Sequence, residues 1–238
     1  MLYIVLPTCF SRMSVRLELT LKTINKIRES KYIGIIVDNS PQEIYNILDS
    51  SSSFDNIHLI KQTNLEKKGG AIRQGIQYIL DIHQSDEDII LFHEPEKHDL
   101  VRFYTLFLQS ISHNMVCVPY RTKLSLKTYP IEQQLLEEFT NKYITKLVNH
   151  QLDWTFGPIL FSINLSKYWL ECKEPLWGAQ IYPLLRCIDD DVSIVRTIVN
   201  YRHDKLQTME EENNIEFMDK RIMQLNYWDE GIKNYLKI

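Results

Sequence analysis

The sequence predicts an α/β protein, a mostly parallel sheet flanked by helices. Two observations carry this. Short apolar, β-rich runs alternate with segments whose apolar residues recur at helical spacing, and the alternation continues through the first 110 residues. The composition of the 238 residues, 44% hydrophobic and 24% charged, is that of a folded globular chain and not of a disordered or collagenous one.

Residues 2–6 form the first strand, and 15–29 place Val15, Leu19, Ile24 and Ile27 at near-helical intervals. A second strand, 32–37, stops at Asp38-Asn39-Ser40-Pro41, a turn cluster that also caps a helix over 42–48. After a polar connection at 50–53, Ile57-His58-Leu59-Ile60 is the third strand. Residues 64–70 then read as a polar loop, leading into a helix over 71–82 with Ile72, Ile76, Ile79 and Leu80 on one face. A continuous apolar strand over 88–92 ends abruptly in His93-Glu94-Pro95-Glu96, and a helix over 100–110 follows. The second half is less regular, with strands over 115–118, 158–163 and 192–200 and helices over 132–148, 177–185 and 216–225. No repeat, low-complexity tract or long linker divides the chain, so 1–238 reads as a single domain.

Charge and composition narrow the function. With 27 basic and 31 acidic residues the net charge is −4, which gives no global attraction for nucleic acid or an anionic membrane. The apolar runs fall far short of the roughly 20 residues that span a bilayer. The N-terminus MLYIVLPT lacks a basic leader and a cleavage site, so a cytoplasmic address is expected. Cys9, Cys117, Cys172 and Cys187 form no CxxC pair, a pattern that fits buried free thiols.

In an open parallel sheet, ligands sit beyond the carboxyl ends of the strands, so the loops there hold the chemistry. Lys67-Lys68-Gly69-Gly70 gathers two of the seven glycines before a helix, where close backbone approach, a helix N-terminus and two cations suit a diphosphate. It is neither a P-loop nor a GxGxxG fingerprint, and a solvated lysine pair on a Gly-rich turn is the alternative. Glu94-Pro95-Glu96 offers oxygen ligands suited to Mg²⁺ or Mn²⁺, or is simply an acidic turn after a strand. Asp38 is placed to accept from a base or ribose, or to make an Asx turn or helix cap. His203 follows the late β-branched strand, where imidazole can join carboxylates around a metal. Asp153-Trp154 and Trp177-Gly178 fall at breaks where a ring can stack on a sugar or anchor the core.

The order of these features resembles the GT-A glycosyltransferases over about residues 2 to 225, with the closest look to the mannosylglycerate synthase-like retaining enzymes. Its carriers are Pro7-Thr8 with downstream Arg12, the strand ending at Asp38, Lys68-Gly69-Gly70-Ala71, Glu94-Pro95-Glu96 in the place of the DxD motif, Leu176-Trp177-Gly178 before a helix, and the strand leading to His203. The resemblance implies a nucleotide-binding half over 1–110 and an acceptor and metal-completing half over 111–238. It gives Pro7, Thr8, Arg12 and Asp38 to the nucleotide, Lys68 and Gly69 to the base or diphosphate edge, Glu94 to the ribose or a metal-bound water, and Glu96 and His203 to Mn²⁺ or Mg²⁺. Arg121 and the Asp153-Trp154 loop fall to donor-sugar or acceptor contacts. The motif departs from DxD by two Glu-for-Asp changes and an intervening proline. Gln180 stands near where inverting members carry an acidic base; an amide cannot act as one, which leaves a retaining mechanism, Asp153 as a substitute, or loss of activity.

The implied activity is transfer of a hexosyl group from a nucleoside-diphosphate sugar to a hydroxyl-bearing acceptor. A nucleotide- or sugar-binding protein without catalysis is the alternative. A nucleotidyltransferase ranks last, because Pro7-Thr8-Cys9-Phe10 lacks the Gly-rich loop of that class.

Overall fold

The computed structural model describes residues 1–63 and 66–238. Its strands are β1 (Leu2–Thr8), β2 (Ile33–Asp38), β3 (Ile57–Lys61), β4 (Ile89–Phe92), β5 (Met115–Arg121), β6 (Ile159–Ser162) and β7 (Ser193–Val199). The helices are α1 (Val15–Arg28), α2 (Gln42–Ser51), α3 (Lys67–Ile82), α4 (Tyr104–Ser110), α5 (Lys123–Leu126), α6 (Ile131–Val148), α7 (Ser166–Leu170), α8 (Gly178–Asp189), α9 (Lys205–Glu211) and α10 (Ile215–Leu236). Among the described residues the strands form one seven-stranded sheet, ordered β3-β2-β1-β4-β6-β5-β7, which runs through both halves of the chain. The first four are parallel neighbours; β6 runs antiparallel between β4 and β5, and β7 lies parallel to β5.

Alternation of side chains along each strand divides the interior in two. Tyr3 and Val5 of β1 join a core with Ile76 and Ile79 of α3 and Leu184 of α8. Leu2, Ile4 and Leu6 join a second core, with Leu17 and Ile24 of α1 and Phe107 of α4. Both faces of β1 are covered, which is why its sequence is a continuous apolar run and not an alternating one.

The structure departs from the sequence reading in several places. α3 starts at Lys67, so Lys67-Lys68-Gly69-Gly70 is its first turn and not a loop; Asn64 and Leu65, at the start of the expected loop, lie outside the described residues. Glycine is tolerated there because of a close approach: a Cβ on Gly69 would lie 1.9 Å from the Glu174 carbonyl oxygen. β5 continues to Arg121, held in register with Val199. α10 extends to Leu236 because Trp228 and Ile232 bury against the first core. The short helices α5, α7 and α9 carry too few apolar repeats to stand out in the sequence. Cys117, Cys172 and Cys187 are buried free thiols as expected, whereas Cys9 is exposed. Among the described residues no helix is long and apolar enough to cross a membrane.

Strand order reverses at β1: the chain moves outward to β2 and β3 on one side, then returns to β4 on the other. The loops leaving β1 and β4 are neighbours, and with the first turn of α3 they line a crevice at the carboxyl end of the sheet.

Beneath that crevice His93 is fully buried, its Nδ1 2.6 Å from the Tyr104 hydroxyl. Burial, reinforced by nearby Lys97, pushes its pKa down to about 3. The unfolded chain, with an ordinary histidine near 6.5, takes up this proton first as pH falls. Stability should therefore decline from about pH 6.5 towards 3, by at most ~1.4 kcal/mol per pH unit from this group. Urea midpoints measured between pH 7 and 4 should fall more gently for His93→Gln than for the wild type; equal slopes would contradict this assignment.

Candidate active site

The crevice is a cleft of about 520 Å³. Pro7 and Thr8 of β1, Asn39 after β2 and Gln62 after β3 form one wall. Glu94, Pro95 and Glu96 after β4 form the other, with Arg16 from the first turn of α1 and Lys68 from the first turn of α3. Of the expected nucleotide and metal contacts, Pro7, Thr8, Lys68, Glu94 and Glu96 are thus brought together. Arg12 lines an adjoining hollow of about 300 Å³ that shares Arg16 with the cleft.

Glu94 is held from both sides. Its Oε1 accepts from Lys68 Nζ at 2.8 Å, and its Oε2 forms an ion pair with Lys97 Nζ at 3.1 Å. Burial favours the protonated acid, but the two ammonium groups outweigh it and keep Glu94 far below the ordinary carboxylate range. Lys68 also donates to Gln180 Oε1 at 3.1 Å, and Gln180 Nε2 donates to the Gly157 carbonyl. Gly157 sits at φ +101°, and a Cβ there would lie 2.6 Å from Glu94 Cδ, so the backbone itself walls in the carboxylate. Lys97 is buried under aromatic faces, its Nζ 4.6 Å from the Phe156 ring centroid and 5.7 Å from that of Tyr201.

Four expected site residues are turned to other work. Asp38 is fully buried and accepts from Thr8 Oγ1, Ser40 N and Ser40 Oγ, so it makes the Asx turn and does not line the cleft. Gly69 donates its N–H to the Pro175 carbonyl at 2.9 Å, away from any diphosphate. Arg121 and Asp153 form a bidentate pair, Nε to Oδ2 and Nη2 to Oδ1 both at 2.8 Å, while Arg121 Nη1 donates to Glu137 at 2.5 Å. Their side chains are 0% and 4% exposed, because an ion pair this deep is stable only when every charge has its partner. Asp153, whose ionised form is held by Arg121 against the effect of burial, is closed off from acting as a general base. Trp154 is buried in the core, and its Nε1 donates to Thr145.

His203 is also engaged. Its Nε2 donates to Glu211 Oε2 at 3.0 Å and its ring stacks on Tyr129 at 4.1 Å. Burial lowers its pKa and keeps the ring neutral, while Glu211, despite burial, is drawn down to about 2 by the hydrogen bond from His203 and the charge of Arg16. Arg16 Nη2 reaches the other Glu211 oxygen at 2.9 Å. His203 lines a separate hollow with His98 and Asp204, and Glu96 lines the cleft.

No protein-family model matches the chain, and no curated protein matches it in sequence. Solved structures do match in fold. Glucosyl-3-phosphoglycerate synthase from Mycobacterium tuberculosis, bound to phosphoglyceric acid, is 14% identical with a TM-score of 0.54, over 94% of this chain and 78% of that one. A mycobacterial protein is 12% identical with a TM-score of 0.57, over 94% and 73%. 4-diphosphocytidyl-2C-methyl-D-erythritol synthase from Anaerococcus prevotii is 13% identical with a TM-score of 0.53, over 96% of both chains. The fold is GT-A-like. What is shared at such identities is the architecture, and the expected sheet with its flanking helices is present in full.

Other complexes of glucosyl-3-phosphoglycerate synthase hold UDP with Mn²⁺ or Mg²⁺. In the GT-A-like cleft of this chain the donor set does not fit such an ion. Glu94 has both oxygens on lysines, His203 donates to Glu211 in another hollow, and among the described residues no group of three or more His, Cys, Asp or Glu side chains could hold a metal. Glu96 and His203, the expected ligand pair, line different hollows, and the reason is physical: spacing in sequence shows that carboxylates and an imidazole exist, not which charges neutralise them first.

Sequence reasoning missed Arg16, Asn39 and Gln62 in the cleft and Lys220 beside it. Arg16 carried a signal, being a cation in the first turn of the helix that follows β1. The others come together only through the fold.

Asp153→Ala tests the structural role of the buried pair. It removes the bidentate acceptor of Arg121, leaving Glu137 as its remaining carboxylate, and should lower unfolding free energy by about 1.5–3 kcal/mol in chemical denaturation. A variant of unaltered stability would place Asp153 back among candidates for the chemistry.

Proposed function

We propose that this chain is a glycosyltransferase that moves a hexosyl group from a nucleoside-diphosphate sugar to a hydroxyl-bearing acceptor. The observation that carries the reading is the cleft at the switch point of a GT-A-like sheet, with Pro7, Thr8 and Asn39 on one wall and Lys68, Glu94 and Glu96 on the other. One complex of glucosyl-3-phosphoglycerate synthase holds Mn²⁺, UDP-glucose and phosphoglyceric acid, which supports a nucleotide-sugar donor in such a cleft.

In the transfer, the bond from the anomeric carbon to the diphosphate oxygen breaks and a bond to the acceptor oxygen forms. Negative charge grows on the departing diphosphate, whose oxygen takes up the proton that the acceptor hydroxyl loses. Asn39 and Gln62, beyond β2 and β3, are placed for the nucleoside end. Lys68 is placed for the diphosphate; its ammonium is oriented by Glu94 and Gln180, so little reorganisation accompanies the charge shift. Glu94 acts through Lys68, as a positioning residue.

Gln180 is the observation that favours a second reading, a nucleotide-sugar-binding protein without transfer. Its amide is bonded to Lys68 and the Gly157 carbonyl, and an amide cannot act as the base that a carboxylate there could be.

Incubation with UDP- and GDP-hexoses and a panel of hydroxyl acceptors should release nucleoside diphosphate. Lys68→Ala should lower kcat/KM by about 10²-fold, the scale of removing one charged stabilising donor. Donor binding without release in the wild type would establish the second reading instead.

A further inference from the structure

If the leaving group is a nucleoside diphosphate, something must neutralise it, and the carboxylates after β4 are poorly placed to do so through an ion. The surrounding cations are better placed. Phe217, Lys220, Arg221 and Gln224 of α10 follow the i, i+3, i+4, i+7 spacing of one helical face. The Phe217 ring gathers two guanidinium groups, with Arg16 Cζ 5.5 Å and Arg221 Cζ 4.8 Å from its centroid. Arg221 Nη1 reaches Gln224, but its Nε is buried without a hydrogen-bond partner among the described residues. Lys220 opens to solvent in the hollow that shares Arg16 with the cleft. Desolvation and repulsion from Arg16, Arg221 and Lys68, opposed by Glu96, bring the Lys220 ammonium down to a pKa of about 8.

The charged side chains that line the cleft and the adjoining hollow, taken with Lys97 and Arg221, are the cations Arg12, Arg16, Lys67, Lys68, Lys97, Lys220 and Arg221 against the carboxylates Glu94, Glu96, Glu210, Glu211 and Glu216, seven against five, so two positive charges are in excess. Gathering cations without enough anions is unfavourable in the free protein. A bound anion relieves it.

We propose that this chain neutralises the leaving diphosphate with fixed cations, Lys68 and Arg16 from the sheet side and Lys220 and Arg221 from α10, in place of a divalent ion on Glu96. The inference rests on the donor reading above, and it assigns α10 a part in the site. Glu96 then repels the diphosphate, a role opposite in sign to that of a metal ligand.

Calorimetric titration of the full chain with UDP, GDP, uridine and inorganic pyrophosphate, each in EDTA and in Mn²⁺, tests this. In EDTA the wild type should bind pyrophosphate and at least one nucleoside diphosphate, with Mn²⁺ changing Kd by less than about threefold. Lys220→Ala, an exposed position whose loss spares the fold, should weaken diphosphate binding about tenfold, the scale of one charge-assisted hydrogen bond, and leave uridine unchanged. Arg221→Gln should do the same, and Glu96→Gln should tighten binding. Circular dichroism confirms that each variant is folded. Diphosphate binding that requires Mn²⁺ and disappears in Glu96→Gln would overturn the inference and leave the donor reading standing. Metal-free pyrophosphate binding that neither UDP nor GDP improves upon would support the cation site and remove the donor reading. No binding by any probe would overturn the inference.

Discussion

The two ion pairs of Glu94 are the constraint on which the site depends. Lys68 is anchored in the first turn of α3 and Lys97 follows the β4 turn, so one carboxylate ties helix, strand end and aromatic interior together. Gly157 presses on the same carboxylate from a backbone conformation that favours glycine. A divalent ion on Glu94 would have to displace Lys68, Lys97 or both, and displacing Lys97 would leave it buried without its counter-charge. Such an exchange costs several kcal/mol before any metal bond forms. Of the two carboxylates that look like a metal motif, Glu94 therefore organises cations.

Behind this site lies a second, deeper charge cluster. Arg121, Asp153 and Glu137 satisfy one another almost entirely out of water, and Tyr129 and Phe156 lie over the cations of both clusters. Buried charge of this kind contributes little net stability, but it is intolerant of partial loss. It fixes the strand end at Arg121 and the loop at Asp153, and through Phe156 the floor on which Lys97 sits. The sheet contributes the remaining order: because its strand order turns back at β1, the loops carrying Thr8 and Glu94 are neighbours in space although 86 residues apart in the chain.

The architecture was legible because it is written in local periodicity. Apolar runs such as Ile89 to Phe92 and the spaced isoleucines of α3 state their own secondary structure, and their alternation states the layering. The walls of the cleft were legible for the same reason: Pro7, Thr8, Lys68, Glu94 and Glu96 are strand ends and a helix start, which is where ligands of such sheets sit. Partnership was not legible. Nothing near Asp153 in sequence announces Arg121, nothing near His203 announces Arg16 beyond Glu211, and Asp38 reads identically whether it closes an Asx turn or faces a ribose. Lys67 to Gly70 were read as a loop because glycine is a poor helix former; the packing of Gly69 on Glu174 overrides that preference. The cationic face of α10 was invisible for a further reason, since its relation to the cleft is set by how the last helix returns across the fold.

The most direct measurement is a crystal structure of the protein grown with a nucleoside-diphosphate sugar or its diphosphate product and Mn²⁺, with data collected at the manganese absorption edge. The expected result is diphosphate oxygens within hydrogen-bond distance of Lys68 and the α10 cations, Glu94 still paired with Lys68 and Lys97, and no anomalous peak within coordination distance of Glu96. A manganese peak bridging Glu96 and the diphosphate, with Glu94 released from its lysines, would contradict it.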